Sequence, residues 1–422
     1  MAEPTYFGAH LASAASPNSR PLPREGSWGE GRPHVGTADD GLPKVAIVGG
    51  GPAGMALALA LAHHGIAARI HDARPRGAAR QDKRILALSH GSRQIFEWLG
   101  VWPQIAATKI DAIHVSQQGG FGRVRLTAQE QGVPALGHVV AAASVATALD
   151  DALTAAGIAV QGEDRVDGVD IDIAADSIRL RTATQPNGTE PARLVVYAEG
   201  AIENDETAAS QTITRDYGQH AVICTVAPAE PHRNLAYERF TPQGPLALLP
   251  FGTEYAVVYT CPAERAATIA ALPDEAFLAE LQAHFGSRLR FSAATPRHVF
   301  PLGLRYRKTP VGPRSVWLGN AAQTLHPVAG QGFNLALRDI WELARTLADA
   351  TDPGATELLA RYASARRLDR RSTIGFTDGL VRLFSNDIPP LRAARGLGLC
   401  ALDLLPPLRG FVARRMMYGA RA

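Results

Sequence analysis

The chain is poor in cysteine. Cys224, Cys261 and Cys400 are the only three in 422 residues, and none lies close to another. That excludes a disulfide framework and a CxxC metal site, so no metal is expected. It fits a reducing, cytoplasmic setting. Long apolar runs are missing too. No window approaches the roughly 20 consecutive apolar residues of a membrane-spanning helix, and the N-terminus lacks the basic start and apolar centre of a secretory signal. Nor does one sign of charge dominate. Forty-three basic against 40 acidic side chains leave +3, with no long basic block, so nucleic acid is not an expected partner. What remains is an ordinary globular apolar content and a length that calls for two domains or one elaborated domain.

Glycine is concentrated in two informative loops. Residues 1–42, rich in Ala, Ser, Pro, Gly and Arg without periodicity, read as a disordered extension. Order begins at Lys44, and Val45-Ala46-Ile47-Val48 is an apolar run suited to a buried parallel strand. Gly49-Gly50-Gly51-Pro52-Ala53-Gly54 follows. An Ala/Leu-rich helix then runs from Met55 to His64, and a second strand ends at Asp72. Gly49, Gly51 and Gly54 have GxGxxG spacing. The first permits a tight turn, the second lets a pyrophosphate approach, and the third lets helix pack on strand. Asp72 lies about 20 residues on, where an acid grips a ribose hydroxyl. The motif alone is weak evidence. Strand before, helix after and acid at the next strand end together point to a dinucleotide, the bland alternative for Asp72 being a solvated turn residue. Arg84 is within reach of such a cofactor, or is a surface arginine at a helix start.

The second loop runs from Gly319 to Asn334, after a short strand at Ser315 to Leu318. Phe333, Leu337, Ile340, Ala344 and Leu347 then recur at helical spacing. A strand, a glycine-rich loop and a helix N-terminus aim free N–H groups and the positive end of a helix dipole at one point. An anion, or a ring that becomes anionic, is stabilised there. Gly330 and Gly332 suggest that something flat approaches the backbone. The plain alternative is a surface turn.

Between the loops, Ile113 to Ser116 and Arg123 to Leu126 read as one hairpin. Ser177 to Thr182 and Arg193 to Ala198, flanking Asn187-Gly188, read as a second. Tyr217 to Thr260 reads as a largely antiparallel sheet and Asp274 to Phe285 as a helix. Thr356 to Phe384 is helical and arginine-rich. The tail from Leu397 to Leu408 is apolar and flanked by arginines. It suits an anionic membrane surface, a partner protein, or packing on the body of the same chain.

These residues resemble the single-component FAD-dependent aromatic hydroxylases, the para-hydroxybenzoate hydroxylase group, and most closely the ubiquinone-biosynthesis branch. The resemblance runs from Lys44 to the C-terminus. Its carriers are the loop Gly319 to Asn334, Asp216-Tyr217-Gly218-Gln219, Glu238-Arg239-Phe240-Thr241 followed by Gly244-Pro245, and Leu402 to Arg409. Gln323 points, within that branch, to the 2-octaprenyl-6-methoxyphenol hydroxylases. The implied fold is α/β. A Rossmann-like FAD-binding domain is built from residues 43–110, 138–202 and 311–355, an antiparallel-sheet substrate domain from 111–137 and 203–310, and a helical region from 356–422.

The implied cofactor is FAD. Gly49, Gly51 and Gly54 would hold its pyrophosphate, Asp72 its ribose and Arg84 its outer edge. Asn320 would sit near the pyrophosphate and ribityl chain. Gly330, Gln331, Gly332, Phe333 and Asn334 would present N–H groups to the flavin pyrimidine edge. The implied reaction is hydroxylation of a polyprenylated phenol by O₂ through a flavin C4a-hydroperoxide, with electrons from NAD(P)H or a reductase. The implied location is cytoplasmic and peripheral to the inner membrane, at the lipid surface or in a biosynthetic complex. The family usually has Asp-Gly where this chain has Glu199-Gly200, and Tyr197 is larger than the family's small residue. No catalytic acid or base stands out; His326 reads as structural, as do His63, His64 and His114. Two rival readings keep the flavin site: a hydroxylase of a soluble phenol or another ring position, and a non-catalytic FAD-binding scaffold.

Overall fold

The computed structural model describes residues 44–189, 191–200, 212–386 and 388–421. The extension read at 1–42 lies outside them.

A six-stranded sheet forms one layer. Its strands are β1 (Val45–Val48), β2 (Ala68–His71), β8 (Val160–Gln161), β11 (Leu194–Tyr197), β18 (Val311–Gly312) and β19 (Ser315–Trp317), in the order β18-β19-β11-β1-β2-β8. All neighbours are parallel except β18 and β19. Every residue of β1 is buried, because the sheet is covered on both faces. Helix α1 (Pro52–Ala62) starts with proline and is buried along nearly its whole length. It is not amphipathic because it lies between the sheet and two further helices, α4 (Ala142–Ala155) and α7 (Gln331–Leu347). A small sheet of β3 (Ile85–Ser89), β7 (Gly137–Ala141) and β4 (Ala107–Ile110) lies beside it with α2 (His90–Trp98).

The second large sheet has nine strands. Its path is β20 (Gln323–Thr324), β17 (His298–Arg307), β12 (Thr212–Pro228), β15 (Glu254–Pro262), β14 (Gly244–Phe251), β13 (Leu235–Thr241), β5 (Ala112–Gln117) and β6 (Arg123–Thr127), with β16 (Phe291–Ala294) on β12. Only β13 and β5 run parallel. The single turn α3 (Ala128–Gln131) follows β6. Helices α5 (Ala263–Ala271) and α6 (Asp274–Phe285) close one face of this sheet through Ile269, Phe277, Leu281 and Phe285. The C-terminal helices α8 (Thr356–Phe384), α9 (Pro389–Leu404) and α10 (Pro406–Tyr418) lie towards the other face, with a 98° bend between the last two.

Two expectations need correction. The second hairpin is not formed by Asn187-Gly188. Strand β10 (Ser177–Thr182) pairs instead with β9 (Val166–Asp172), and its links to the chain after the Asn-Gly pair are the bridge Ile178–Ala192 and hydrogen bonds to Thr189 rather than a strand ladder. Burial explains this. Strand β10 alternates buried and exposed, as a one-faced strand does, whereas Leu194, Val195 and Val196 are all 0% exposed and fit the interior of a parallel sheet. Second, Gln323 and Thr324, read as part of the cofactor-binding stretch, add an edge strand to the nine-stranded sheet through Tyr306 and Arg305. The glycine-rich loop therefore belongs to both layers.

Candidate active site

The two loops meet at one cavity of about 1330 Å³. Gly49, Gly51, Asp72, Arg84, Asn320, Gly330, Gln331, Gly332, Phe333 and Asn334 all line it. Gly54 alone among the expected residues does not. Its role is packing: a Cβ there would lie 1.9 Å from the Gly49 carbonyl oxygen, so α1 approaches β1 only with glycine at this point. Gly49 has φ +113°, and a side chain would meet the Glu199 backbone N at 2.7 Å. Gly332 is the opposite case. A Cβ there would meet no protein atom within 4 Å, so the space beside it is open cavity. The first turns of α1 and α7 thus face the same void with unspent N–H groups.

The side chains divide into holders and facers. Asp72 accepts from the Gly50 N–H at 2.6 Å, from the Arg74 N–H at 2.8 Å and from the Arg74 guanidinium at 2.8 Å and 3.1 Å. Burial works against the charge, but these donors hold its carboxyl below the usual range. Arg74, overlooked in the sequence, therefore shares Asp72 with any ribose. Arg84 is held by Asp82, which receives its guanidinium at 2.5 Å and 3.0 Å. Asn320 is exposed in the cavity wall. Asn334 is fully engaged by protein. Its Oδ1 accepts from the Ser89 N–H and the Ser92 hydroxyl, and its Nδ2 donates to Ala87 O and Gly330 O. It staples α7 to β3 rather than offering a side-chain donor to a ligand. Gln331 donates to Ala329 O, and Phe333 packs near Phe96 with centroids 6.3 Å apart. Ala329, a non-glycine residue at φ +61°, sharpens the turn into α7.

Beneath the loop lies a buried ionic cluster. Arg366 donates to Asp339 at 2.7 Å and to Asp369 at 2.5 Å, and Arg338 donates to Asp369 at 2.8 Å. Gln323 bridges them, donating to Asp339 at 2.9 Å and accepting from Arg370 at 3.0 Å. Against the upward push of burial, Arg338 and Arg366 hold the Asp369 carboxyl well below the usual range. Gln323 is 1% exposed and does not line the cavity.

Tyr197 is accommodated by stacking on Trp317, with centroids 5.3 Å apart and planes 11° apart. Glu199 faces the cavity beside Gly49. His326 is buried; its Nδ1 accepts from the Val328 N–H at 3.1 Å, and its ring meets Tyr217 edge-on. Burial pushes its pKa down to about 4, so it is neutral near pH 7. His63 and His64 pack on Trp98, and His114 contacts Arg288 and Tyr237.

Past the flavin-type loops the cavity continues over the inner face of β5, β13 and β14, through Val115, Ala236, Phe240, Ala247 and Leu249. Phe384 of α8, Leu399 and Leu402 of α9 and Met416 of α10 close it. The charged side chains at this end are Arg395, which donates to the carbonyls of Phe384 and Asn386, and Glu238, whose Oε1 is shut off from water and has no hydrogen-bond partner among the described residues. Burial pushes that carboxyl up to about 7. The sequence reading quoted Glu238 within a motif but gave it no role. Its position in a stretch of alternating strand residues was the available signal.

A family model described as an FAD binding domain matches residues 43–376. The chain belongs to this FAD-binding family. The chain is 35% identical over 403 residues to ubiquinone hydroxylase UbiL of Rhodospirillum rubrum, covering 91% of each protein. It is 32% identical to 3-demethoxyubiquinol 3-hydroxylase of Escherichia coli, covering 85% of this chain and 94% of that one. Among solved structures, p-nitrophenol 4-monooxygenase PnpA of Pseudomonas putida superposes with a TM-score of 0.68 at 16% identity, over 90% of this chain and 99% of that one. PqsL, a probable FAD-dependent monooxygenase of Pseudomonas aeruginosa, superposes with a TM-score of 0.68 at 20% identity, over 85% and 99%. At those identities the structures establish the shared fold. This flavoprotein is an FAD-dependent aromatic-ring monooxygenase, and its two open helix N-termini and the open space beside Gly332 fit the cofactor.

Proposed function

We propose that this flavoprotein hydroxylates a polyprenylated phenol on the route to ubiquinone, at the 2-octaprenyl-6-methoxyphenol step. The observation that carries the phenol reading is the cavity itself. One continuous space joins the flavin-type loops to an apolar chamber walled by β5, β13, β14 and the C-terminal helices. Such a chamber takes an apolar ring with an isoprenoid tail. The names of the relatives support the pathway. The step rests on the loop sequence alone, because Gln323 turns towards Asp339 and Arg370 rather than towards substrate.

In this reading, Gly51 offers its backbone N–H to the pyrophosphate, Gly49, whose own N–H is spent on the His71 carbonyl, makes the tight turn, and Gly54 sets the helix against the strand. Asp72 takes the ribose, Arg84 the outer edge and Asn320 the ribityl region. Gly330 to Phe333 bring the α7 N-terminus to the pyrimidine edge, where a developing negative charge is stabilised, and Asn334 fixes that turn. The bound flavin supplies the activation of O₂, with electrons from NAD(P)H or a reductase. The protein's own share is to orient the ring and exclude water.

We also propose a cytoplasmic protein resting on the inner membrane. Leu397, Leu404, Leu405, Leu408 and Phe411 are exposed on the two helices whose other side walls the cavity, and Arg414 is exposed beside them. A substrate tail would then enter from the lipid. Binding to vesicles with and without anionic lipid tests this, with Leu404→Asp/Phe411→Asp expected to remain in solution.

The pathway is tested by mass spectrometry of quinone lipids from cells lacking this chain, grown with oxygen. Accumulated polyprenyl-methoxyphenol with loss of ubiquinone supports both pathway and step. A different accumulated intermediate moves the ring position. Unchanged ubiquinone removes the pathway and favours a soluble phenol.

A further inference from the structure

Glu238 stands where a substrate ring would meet the flavin loop. On β13, Ala236, Glu238 and Phe240 share one face, and all three line the cavity. Arg239 points the other way, to the His284 carbonyl of α6. The cross-strand neighbours of Glu238 are Val115 and Ala247, both apolar and both in the cavity wall. Two residues along, roughly 7 Å of strand, Phe240 packs with Val328 of the glycine-rich loop and stacks on Phe384.

Among the described residues, Glu238 Oε1 has no hydrogen-bond partner. Buried polar atoms without partners are rare in native proteins and are retained where a ligand completes them. The charges sharing its cavity stand at the dinucleotide end, as the Asp72–Arg74 and Asp82–Arg84 pairs with Arg165 and Glu199, or on α9 as Arg395. Arg395 donates to the carbonyls of Phe384 and Asn386. On α8, Asp378 is turned to Arg215 and Tyr217; on β5, His114 is turned to Arg288. Burial alone sets the elevated proton affinity of Glu238, which places it close to the working range of a general base.

We propose that Glu238 is a catalytic base that takes the proton from the substrate's phenol O–H, an inference that rests on the phenol reading above. The O–H bond breaks with its electron pair left on the phenol oxygen, and the proton forms an O–H bond on Glu238. The ring becomes richer in electrons and a better acceptor of electrophilic oxygen. Once the ring carbon carries its new oxygen, Glu238 returns the proton to the former phenol oxygen. The displaced ring C–H proton leaves with the second atom of O₂ as water. Glu238 ends as it began, and the reaction needs no reagent beyond O₂ and the electron donor.

The test uses the full-length, FAD-loaded protein, with 2-prenylphenol and its methyl ether as probes. In Glu238→Gln, kcat is expected to fall by about 100-fold or more with KM little changed. The acid limb of the wild-type pH profile, which falls as Glu238 protonates, is expected to vanish, while Glu238→Asp keeps a displaced limb. A binding readout is independent of turnover. By calorimetry at pH 8, the wild type should prefer the phenol to the ether by about tenfold, and Glu238→Leu should bind both alike. An unchanged kcat and acid limb in Glu238→Gln, or a phenol preference retained in Glu238→Leu, overturns the proposal. No oxygen uptake by wild type with any prenylated phenol defeats the phenol-hydroxylase reading instead, and the phenol–ether comparison still decides Glu238.

Discussion

Gly54 and Gly332 both belong to cofactor loops, yet alanine should act on them in opposite ways. At Gly54 the new carbon would lie 1.9 Å from the Gly49 oxygen, 3.2 Å from the Gly49 carbonyl carbon and 3.3 Å from the Ile47 side chain. Backbone cannot rotate aside as a side chain can, so α1 must lift from β1 by more than an ångström. Overpacking of this kind costs about 1–3 kcal/mol, sometimes more, and the folded protein bears it with or without cofactor. At Gly332 the same carbon meets no protein atom within 4 Å. Alanine there should leave the cofactor-free fold intact, or stabilise it by about 0.5 kcal/mol through helix propensity. The cost appears only when FAD enters, because the methyl occupies the space a flat ring needs. A cost of about 1–3 kcal/mol corresponds to roughly 5- to 150-fold weaker FAD. Thermal unfolding of cofactor-free protein, paired with fluorescence titration of FAD, separates the two variants. If Gly332→Ala binds FAD as wild type does, the open space beside α7 is not the flavin's, and the assignment of this loop falls.

Three further outcomes are expected. Asp339→Ala leaves Arg366 and Arg370 short of a counter-charge in a site where Arg366 and Asp339 are each 1% exposed. Denaturant unfolding should show a loss of about 3–5 kcal/mol. His326, held neutral with its pKa pushed down to about 4 from an ordinary 6.5, binds fewer protons folded than unfolded in that window. Stability should therefore fall as pH drops from about 6.5 towards 4, and His326→Asn should flatten this dependence in pH-dependent melts. Glu238 has the opposite sign. Its folded carboxyl is raised from 4.5 to about 7, so the folded state holds the extra proton and stability falls as pH rises through that window. Glu238→Gln should recover on the order of 3 kcal/mol by pH 8, and equal stabilities of the two proteins at pH 8 would remove the charge-burial argument.

The cofactor half of the site was legible because its chemistry is backbone chemistry. A turn that needs Gly49, a helix that needs Gly54 and a loop that needs Gly330 leave glycines at fixed spacing, and spacing survives in sequence. The substrate half was not legible in the same way. Glu238 on a strand reads as a residue facing water. It becomes a cavity residue only because α8, α9 and α10, far along the chain, close over β13. Gln323 shows a related limit: its place in a recognisable loop carried the resemblance, whereas its partners Asp339 and Arg370 lie on helices that local pattern cannot orient. The tail was ambiguous because both of its readings have a face. Leu399, Ala413 and Met417 are buried against the body, while Leu404, Leu405 and Phe411 on the same helices are exposed.

Labelled dioxygen gives the most direct test of the monooxygenase reading. FAD-loaded protein would be supplied with an electron donor and a polyprenyl-methoxyphenol under ¹⁸O₂, and the phenol recovered for mass spectrometry. Incorporation of one ¹⁸O atom into the ring product, lost on removal of FAD, is the expected result. Oxygen uptake that ends entirely in labelled hydrogen peroxide, with the phenol unchanged, would mean that this chain does not hydroxylate that phenol.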